Sequence, residues 1–195
     1  MKKEEKTELE KTKETREEKR KRIGKEILSY VLWMAAVVLI CLLFIRYVAV
    51  RSVVEGNSMN PTLNDGDNLI VEKVSYYFHQ PERFDVIVFK VKHEPNTFFV
   101  KRIIGLPGET VQIIDGYVYI NGTKLEEDVY GNDVIRNAYT AANPVTLKED
   151  EFFVMGDNRN NSNDSRSVTV GPVNREQFLG HACFRFWPLN GMKGL

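Results

Sequence analysis

Cysteine is scarce in this chain, with Cys41 and Cys183 as the only two among 195 residues. Cys41 lies within a long apolar run, and neither thiol has a histidine or a second cysteine at the usual spacing of metal ligands. We therefore expect neither a disulfide between the two cysteines nor a metal site built on them. The folded part of the chain must depend on its hydrophobic core rather than on cross-links.

An excess of one charge is also missing. Lysine and arginine total 27, aspartate and glutamate total 27, and the formal net charge at pH 7 is zero. The chain as a whole therefore has no electrostatic attraction for nucleic acid or acidic substrates, and no nucleic-acid partner is expected. Its length allows one modest folded domain with additional segments.

Histidine is also rare, since His79, His93 and His181 are the only three. None of them lies in a sequence context that suggests a Ser-His-Asp triad. We interpret all three as surface or structural residues.

The N-terminal part of the chain divides sharply by composition. Residues 1–25 are almost all charged or polar, which favours a flexible tail or a solvated helix. Residues 27–45 form an uncharged stretch of 19 residues in which Ser29 is the only strongly polar member. As a helix, this stretch is long enough to cross a hydrocarbon layer about 30 Å thick.

Two other interpretations of the apolar stretch are weaker. A buried core helix keeps a polar stripe, whereas this stretch is apolar on all sides. A cleaved signal sequence has an apolar core of about 7–15 residues and then a small-x-small site, which does not follow Ile45. Basic residues crowd the N-terminal flank, which predicts a cytoplasmic N terminus. We expect a cytoplasmic tail at 1–25, a transmembrane helix at 26–48 and an extracytoplasmic domain at 49–195.

The sequence beyond residue 48 has the pattern of a mainly β domain. Apolar and β-branched runs predict strands at 68–71, 85–89, 98–104 and 152–155. Asp115-Gly116 and Asn121-Gly122 favour two-residue hairpin turns on either side of residues 117–120, which predicts a β-meander. Apart from a short helical turn at 174–178, this part shows no sustained helical periodicity, so antiparallel sheets are expected.

A serine stands in a turn a few residues beyond the apolar stretch. The segment Gly-Asn-Ser-Met-Asn-Pro-Thr-Leu, residues 56–63, combines glycine and proline in a way that can expose the hydroxyl of Ser58. Taken alone, the segment is also compatible with an ordinary surface turn in which the hydroxyl binds local backbone.

A lysine is placed inside an apolar strand. Phe99, Lys101 and Ile103 share one face of the predicted strand at 98–104, so a buried amine would be desolvated there. Desolvation favours the neutral amine, which is the form that can accept a proton from a hydroxyl. At an unperturbed pKa of about 10.4, only about one lysine in a few thousand is neutral at pH 7. A solvent-facing lysine on a half-exposed strand is the alternative.

The third unusual segment is a polar loop at 156–166, Gly-Asp-Asn-Arg-Asn-Asn-Ser-Asn-Asp-Ser-Arg, directly after the strand at 152–155. Composition alone allows a flexible loop or a calcium loop. The calcium interpretation is weaker because the oxygen ligands Asp157, Asn161 and Asp164 miss the EF-hand spacing and stand beside two arginines.

These three segments, in this order after one N-terminal apolar stretch, resemble the bacterial type I signal peptidases, and the short outer domain resembles the Gram-positive-like short form. The likeness covers the chain from about residue 27 to its end. The resemblance implies a Ser-Lys dyad, with Ser58 as the nucleophile and Lys101 as its general base. It further implies that Ser162 orients the lysine amine and that two ion pairs support the site, Asp157 with Arg102 and Asp164 with Arg166.

The resemblance also implies an extracytoplasmic domain of two antiparallel β-sheets with an apolar surface touching the membrane, and a substrate that docks as an added strand. Expected partners are secretory preproteins, cleaved after small residues in an Ala-x-Ala pattern, and membrane lipid. Contact with the translocation machinery stays open, and no metal or cofactor is implied. The residues expected to contact substrate are Val53, Val54, Met59, Leu63, Phe99 and Val100, with Glu55 on the same edge.

Two positions depart from the family pattern. Gly56 stands where some members carry a hydroxyl that helps to stabilise the oxyanion, and Asn160 stands where aspartate is common. Two alternatives remain open, namely a specialised signal peptidase for pilin-like substrates and a non-catalytic, membrane-tethered β module in pilus or surface-protein assembly.

Overall fold

The computed structural model describes residues 2–92, 97–131 and 133–195, and His93 therefore lies outside the described residues. The chain divides into two compact units, residues 1–46 and residues 47–195. The structure is mainly β, with one long N-terminal helix and two antiparallel sheets.

The first unit is the helix α1, Lys2–Tyr47. The charged residues before position 26 are thus part of a helix, which is one of the two forms that composition had left open. The described side chains of α1, residues 19–43, are nearly all exposed within this unit. This part of α1 is long and apolar enough to cross a membrane.

The second unit contains twelve strands and one further short α-helix among the described residues. In chain order they are β1 Ala49–Val53, β2 Asn68–Glu72, α2 Ser75–Phe78, β3 Val86–Lys90, β4 Phe98–Gly105, β5 Thr110–Ile114, β6 Tyr117–Ile120, β7 Thr123–Lys124, β8 Val145–Thr146, β9 Glu151–Met155, β10 Val173–Asn174, β11 Phe178–Trp187 and β12 Lys193–Gly194. The helical turn predicted at 174–178 is a 3-10 turn at Arg175–Gln177.

The larger sheet has the order β1-β2-β11-β3-β4-β9-β10, and β12 pairs with β11. All of its described pairings are antiparallel, and β1 forms one edge of the sheet. The strand β4 pairs with β3 along Phe98–Arg102, whereas β9 pairs with β4 only from Arg102 onward. Among the described residues, the start of β4 therefore has no strand partner on the side of β9.

The smaller sheet has the order β7-β6-β5-β8 and confirms the predicted meander. Asp115 and Gly116 connect β5 to β6 with φ values of 51° and 82°, and Asn121 and Gly122 connect β6 to β7 with φ values of 51° and 80°. Both pairs have the positive φ values that two-residue hairpin turns require. Buried side chains of this sheet pack with Phe153 and Met155 of β9, which joins the two sheets in one folded body.

Candidate active site

The turn that carries Ser58 is fixed by its apolar neighbours. Met59 and Leu63 are almost completely buried in the core beside β2, and the backbone N–H of Leu63 donates to the carbonyl oxygen of Met59 at 2.9 Å. Gly56 begins the turn with a φ of 84°, a conformation that suits glycine. Its backbone N–H donates to Asp65 Oδ1 at 2.7 Å. Ser58 is therefore held between two anchored positions and is itself half-buried.

Lys101 reaches Ser58 from the neighbouring part of the larger sheet. Its Nζ donates to Ser58 Oγ at 2.8 Å and to the carbonyl oxygen of Val100 at 2.9 Å. The side chain belongs to a residue that is only 3% exposed, and its amine lies 4.9 Å from the centroid of the Phe99 ring. The expected desolvated lysine is present, and the solvent-facing alternative is wrong.

Burial lowers the pKa of Lys101 to about 8, while the nearby carboxylates of Asp164 and Asp157 act in the opposite direction. The neutral amine is disfavoured less than it is in water because the charged form has lost most of its hydration. In the charged state Nζ donates to Ser58 Oγ. After loss of one proton, the same contact allows the Ser58 hydroxyl to donate to the nitrogen lone pair.

The polar loop at 156–166 packs against the serine turn. The backbone N–H of Asn158 donates to the carbonyl oxygen of Ser58 at 3.0 Å, and Asn158 Nδ2 donates to the carbonyl oxygen of Asn57 at 3.0 Å. A β-carbon added to Gly156 would overlap the carbonyl oxygen of Ser58, so this approach requires glycine. We call residues 156–166 the active-site loop.

Two buried ion pairs stabilise the active-site loop, one that joins it to β4 and one within the loop itself. Asp157 accepts from Arg102 Nε at 2.8 Å and from Arg102 Nη2 at 2.7 Å. Asp164 accepts from Arg166 Nε and Nη2, both at 2.8 Å, and from the backbone N–H of Gly156 at 3.1 Å. Both carboxylates are thus occupied by guanidinium groups, which disfavours the calcium interpretation of this loop.

Ser162 differs from its expected arrangement. Its hydroxyl oxygen is buried and has no hydrogen-bond partner among the described residues. The amine of Lys101 bonds the carbonyl oxygen of Val100 and the Ser58 hydroxyl instead. The expected hydrogen bond between Ser162 and the lysine amine is therefore not formed in this structure. The Ser162 hydroxyl packs against Gly156, where an added β-carbon would overlap it.

Asn160 uses both ends of its side-chain amide. Its Oδ1 accepts from the backbone N–H of Arg136 at 2.9 Å, and its Nδ2 donates to the carbonyl oxygen of Val134 at 3.1 Å. An ionised aspartate could make only the first of these bonds because it has no hydrogen to donate. The asparagine at this position is therefore matched to its two backbone partners.

An open cleft of about 420 Å³ lies beside the dyad. It runs between residues 52–55 and residues 98–101, and Val53, Val54, Met59, Phe99 and Val100 line it as the resemblance implies. Leu63 is a correction, since it is fully buried in the core and does not line the cleft. The lining also includes Phe98 beside Phe99, and Val88 and Asn163, which sequence reasoning missed. Val88 lies on β3 and Asn163 in the active-site loop, and neither element was expected to contact substrate.

The two histidines that the structure describes and a second large depression lie outside the cleft beside Ser58 and Lys101. His79 is exposed, and His181 on β11 contacts the carboxylate of Glu72 at 3.2 Å. Within the described ranges, no group of three His, Cys, Asp or Glu side chains is arranged to hold a metal ion. A larger depression of about 710 Å³ at residues 148–151 and 174–176 has a charged lining without a serine, threonine or cysteine.

Comparison with known proteins identifies the family of the chain that carries Ser58 and Lys101. The family model described as signal peptidase, peptidase S26, matches residues 27–187. The chain belongs to this family. Peptidase S26 is a family of serine endopeptidases, and this member is therefore an enzyme of that class. The matched region includes the serine turn, the strand of Lys101 and the active-site loop.

Individual family members cover most of the chain. A signal peptidase I of Leptolyngbya laminosa is 45% identical over 74% of this chain and 71% of its own length. A signal peptidase I of Bacillus licheniformis is 36% identical over 83% of this chain and 90% of its own length. A solved signal peptidase I of Enterococcus faecalis is 34% identical, covers 53% of this chain and 97% of its own, and has a TM-score of 0.44.

Proposed function

We propose that this peptidase is a membrane-bound serine endopeptidase that removes N-terminal signal peptides from secreted preproteins by means of a Ser58–Lys101 dyad. The observation that carries the proposal is the 2.8 Å contact between Lys101 Nζ and Ser58 Oγ. It joins a hydroxyl to an amine whose pKa is lowered to about 8. Both groups border a cleft that is open to a peptide.

The lowered pKa supplies the base. At a pKa of about 8, about one amine in ten is neutral at pH 7, compared with about one in a few thousand at the reference value. A general base works best when its pKa lies near the working pH, since it is then both available and basic enough. No second base is needed for the serine proton.

The reaction proceeds in two acyl-transfer steps. Neutral Lys101 accepts the Ser58 proton as Oγ bonds to the carbonyl carbon, and the ammonium then gives that proton to the amine of the departing mature protein. The product of this step is an ester on Ser58. Lys101 next accepts a proton from water, the hydroxide oxygen attacks the ester, and the proton returns to Ser58 Oγ as the signal peptide leaves.

Negative charge develops on the substrate carbonyl oxygen in both steps and requires hydrogen-bond donors. Gly56 offers no side-chain hydroxyl for this purpose. We assign the oxyanion chiefly to backbone N–H groups of the serine turn, with that of Ser58 first among them. The tight anchoring of the turn through Met59 and Leu63 supports this assignment.

The cleft favours small side chains. A peptide can pair with the free edge that continues from β1 at residues 53–55 and with the unpaired start of β4 at residues 98–101. Val54, Met59, Val88 and Val100 then form an apolar wall close to the scissile bond. Such a wall accepts alanine and excludes bulkier groups by shape, which agrees with an Ala-x-Ala cleavage pattern.

The membrane assignment follows from the apolar part of α1. In this proposal residues 1–25 are cytoplasmic, residues 26–48 span the membrane and residues 49–195 form the extracytoplasmic catalytic domain. Ser58 is only ten residues beyond the spanning segment. The cleavage site of a preprotein whose own apolar segment occupies the bilayer would emerge at the same surface.

The proposal is tested with the full-length chain in lipid vesicles and a purified preprotein. Ser58→Ala should abolish cleavage, and Lys101→Arg should do the same because a guanidinium does not deprotonate near neutral pH. The matched controls are Ser75→Ala, a half-buried serine on α2 outside the cleft, and Lys90→Arg, an exposed lysine on β3. Both controls should cleave at close to the wild-type rate. Substantial cleavage by Lys101→Arg would eliminate the dyad.

A further inference from the structure

A short segment of the connection between β7 and β8 lies against the active-site loop. Residues 128–131, which we call the brace, follow β7 in the chain. They contact two arginines, Arg102 and Arg159, which adjoin Lys101 and Asn158 in sequence. Neither the brace nor most of the active-site loop has regular secondary structure. Side-chain contacts between them therefore help to fix both segments.

The first contact joins Asp128 to Arg159. The arginine is 4% exposed, and its Nη1 and Nη2 both donate to the Asp128 carboxylate, the latter at 2.7 Å. Its Nε donates to the carbonyl oxygen of Gly156 at 3.1 Å. A β-carbon added to Gly131 would overlap the guanidinium, so the brace closes tightly over it. A bidentate pair of this kind fixes orientation as well as distance.

The position of Arg159 gives this pair its importance. Its backbone N–H donates to the carbonyl oxygen of Asp157 at 3.0 Å, and the intervening Asn158 donates to the carbonyl oxygen of Ser58. The guanidinium end of the Arg159 side chain is thus held by Asp128 of the brace. The backbone of Asn158, the residue before it, holds the carbonyl group of Ser58.

The second contact covers the other arginine. Arg102 Cζ lies 3.6 Å from the centroid of the Tyr130 ring, which stacks over the buried pair of Arg102 with Asp157. The same ring lies 5.4 Å from that of Phe84, whose carbonyl oxygen accepts from Arg102 Nη1 at 2.7 Å. The Tyr130 ring therefore covers one face of the Arg102 guanidinium, which pairs with Asp157 and adjoins Lys101 in sequence.

We propose that Asp128 and Tyr130 are positioning residues that hold Ser58 and Lys101 at reacting distance through Arg159 and Arg102. This inference rests on the proposed function of the dyad. Neither residue borders the substrate cleft, so their loss acts on the chemical step rather than on peptide binding. A displacement of the reacting atoms by about 1 Å is enough to reduce a rate on the order of 100-fold.

The test measures kcat, KM and thermal unfolding of the full-length chain in lipid vesicles. Asp128→Asn keeps the shape and removes the charge that the bidentate pair needs. Its matched control is Glu126→Gln, which alters an exposed carboxylate in the same connection. Among the described residues, Glu126 forms an ion pair with Lys124 alone. Tyr130→Leu removes the stacked ring, and Tyr130→Phe keeps it. All assays are run at least 20 °C below the unfolding midpoint of each variant.

Asp128→Asn and Tyr130→Leu should each lower kcat at least tenfold and leave KM within about twofold. Glu126→Gln and Tyr130→Phe should keep at least half of the wild-type kcat. Adding Arg159→Gln to Asp128→Asn should cause little further loss, because the two residues act as one unit. If Asp128→Asn does not fold, Tyr130→Leu decides the matter, since it leaves the Asp128–Arg159 pair intact.

Wild-type kcat in folded Asp128→Asn and Tyr130→Leu would overturn the inference, as would a rise in KM with kcat unchanged. Failure of the proposed function has a different signature. In that case Ser58→Ala and Lys101→Arg would still cleave the preprotein, whatever the result for the brace.

Discussion

Replacing Lys101 by methionine should change how the stability of the chain depends on pH. The folded chain lowers the pKa of this amine from 10.5 to about 8 because the residue is buried. The difference of about 2.5 units corresponds to roughly 3 kcal/mol at 1.36 kcal/mol per unit, which opposes folding at neutral pH. Methionine has a similar length and no charge to desolvate, so it removes this cost.

The sign of the pH dependence follows from proton binding. Below pH 8 the amine is protonated in both the folded and the unfolded chain, and its contribution is constant. Between pH 8 and 10.5 the unfolded chain keeps a proton that the folded chain has lost, so the wild-type free energy of unfolding rises with pH. Relative to Lys101→Met, the wild type should gain about 1.4 kcal/mol between pH 6 and pH 9.

The assay is urea unfolding of the full-length chain in a non-ionic detergent, at pH 6 and pH 9. Trp33 and Trp187 are the only tryptophans, so a Trp33→Phe background leaves Trp187 on β11 as the reporter of the β domain. Lys90→Met serves as the control because that side chain is exposed. If the difference between wild type and Lys101→Met were the same at both pH values, the desolvated amine would be refuted.

Three further predictions concern the surroundings of the dyad. Asp157→Asn should lower the free energy of unfolding by about 3–5 kcal/mol, because it leaves Arg102 charged and buried without its partner, and urea unfolding measures this loss. Val100→Ala shortens a side chain that lines the cleft and so makes room for a larger substrate residue. Relative to cleavage after alanine, cleavage after a residue one methylene larger should rise about tenfold, as measured by competition between two preproteins. EDTA should leave the rate of preprotein cleavage unchanged. A loss of cleavage in EDTA that added calcium or zinc restores would indicate a metal site.

The parts of the fold that local chemistry determines could be predicted from the sequence. The hairpins at Asp115-Gly116 and Asn121-Gly122 follow from two residues that accept positive φ. Strand β4 was predicted at nearly its observed bounds because aromatic and β-branched residues stand on both sides of Lys101 and Arg102. The charged N-terminal residues were harder, since their composition suits either a tail or a solvated helix, and the structure shows a helix from Lys2.

The site was predictable only where its motifs are contiguous. Ser58 and Lys101 each stand in a short, recognisable segment. The two residues are 43 positions apart, and their side chains are in contact as expected of a dyad. The pair of Asp128 with Arg159 carries no local signal, because 31 residues separate two common charged residues. The orientation of Ser162 was also beyond the sequence, since it depends on how the active-site loop packs around Gly156.

The pH dependence of preprotein cleavage tests the Ser58–Lys101 dyad most directly. Only the neutral amine accepts the serine proton, and burial sets its pKa at about 8. We therefore expect kcat/KM to rise about tenfold from pH 6 to pH 7 and to level off above about pH 9. A kcat/KM that stayed constant from pH 6 to pH 9 would show that Lys101 does not act as the base.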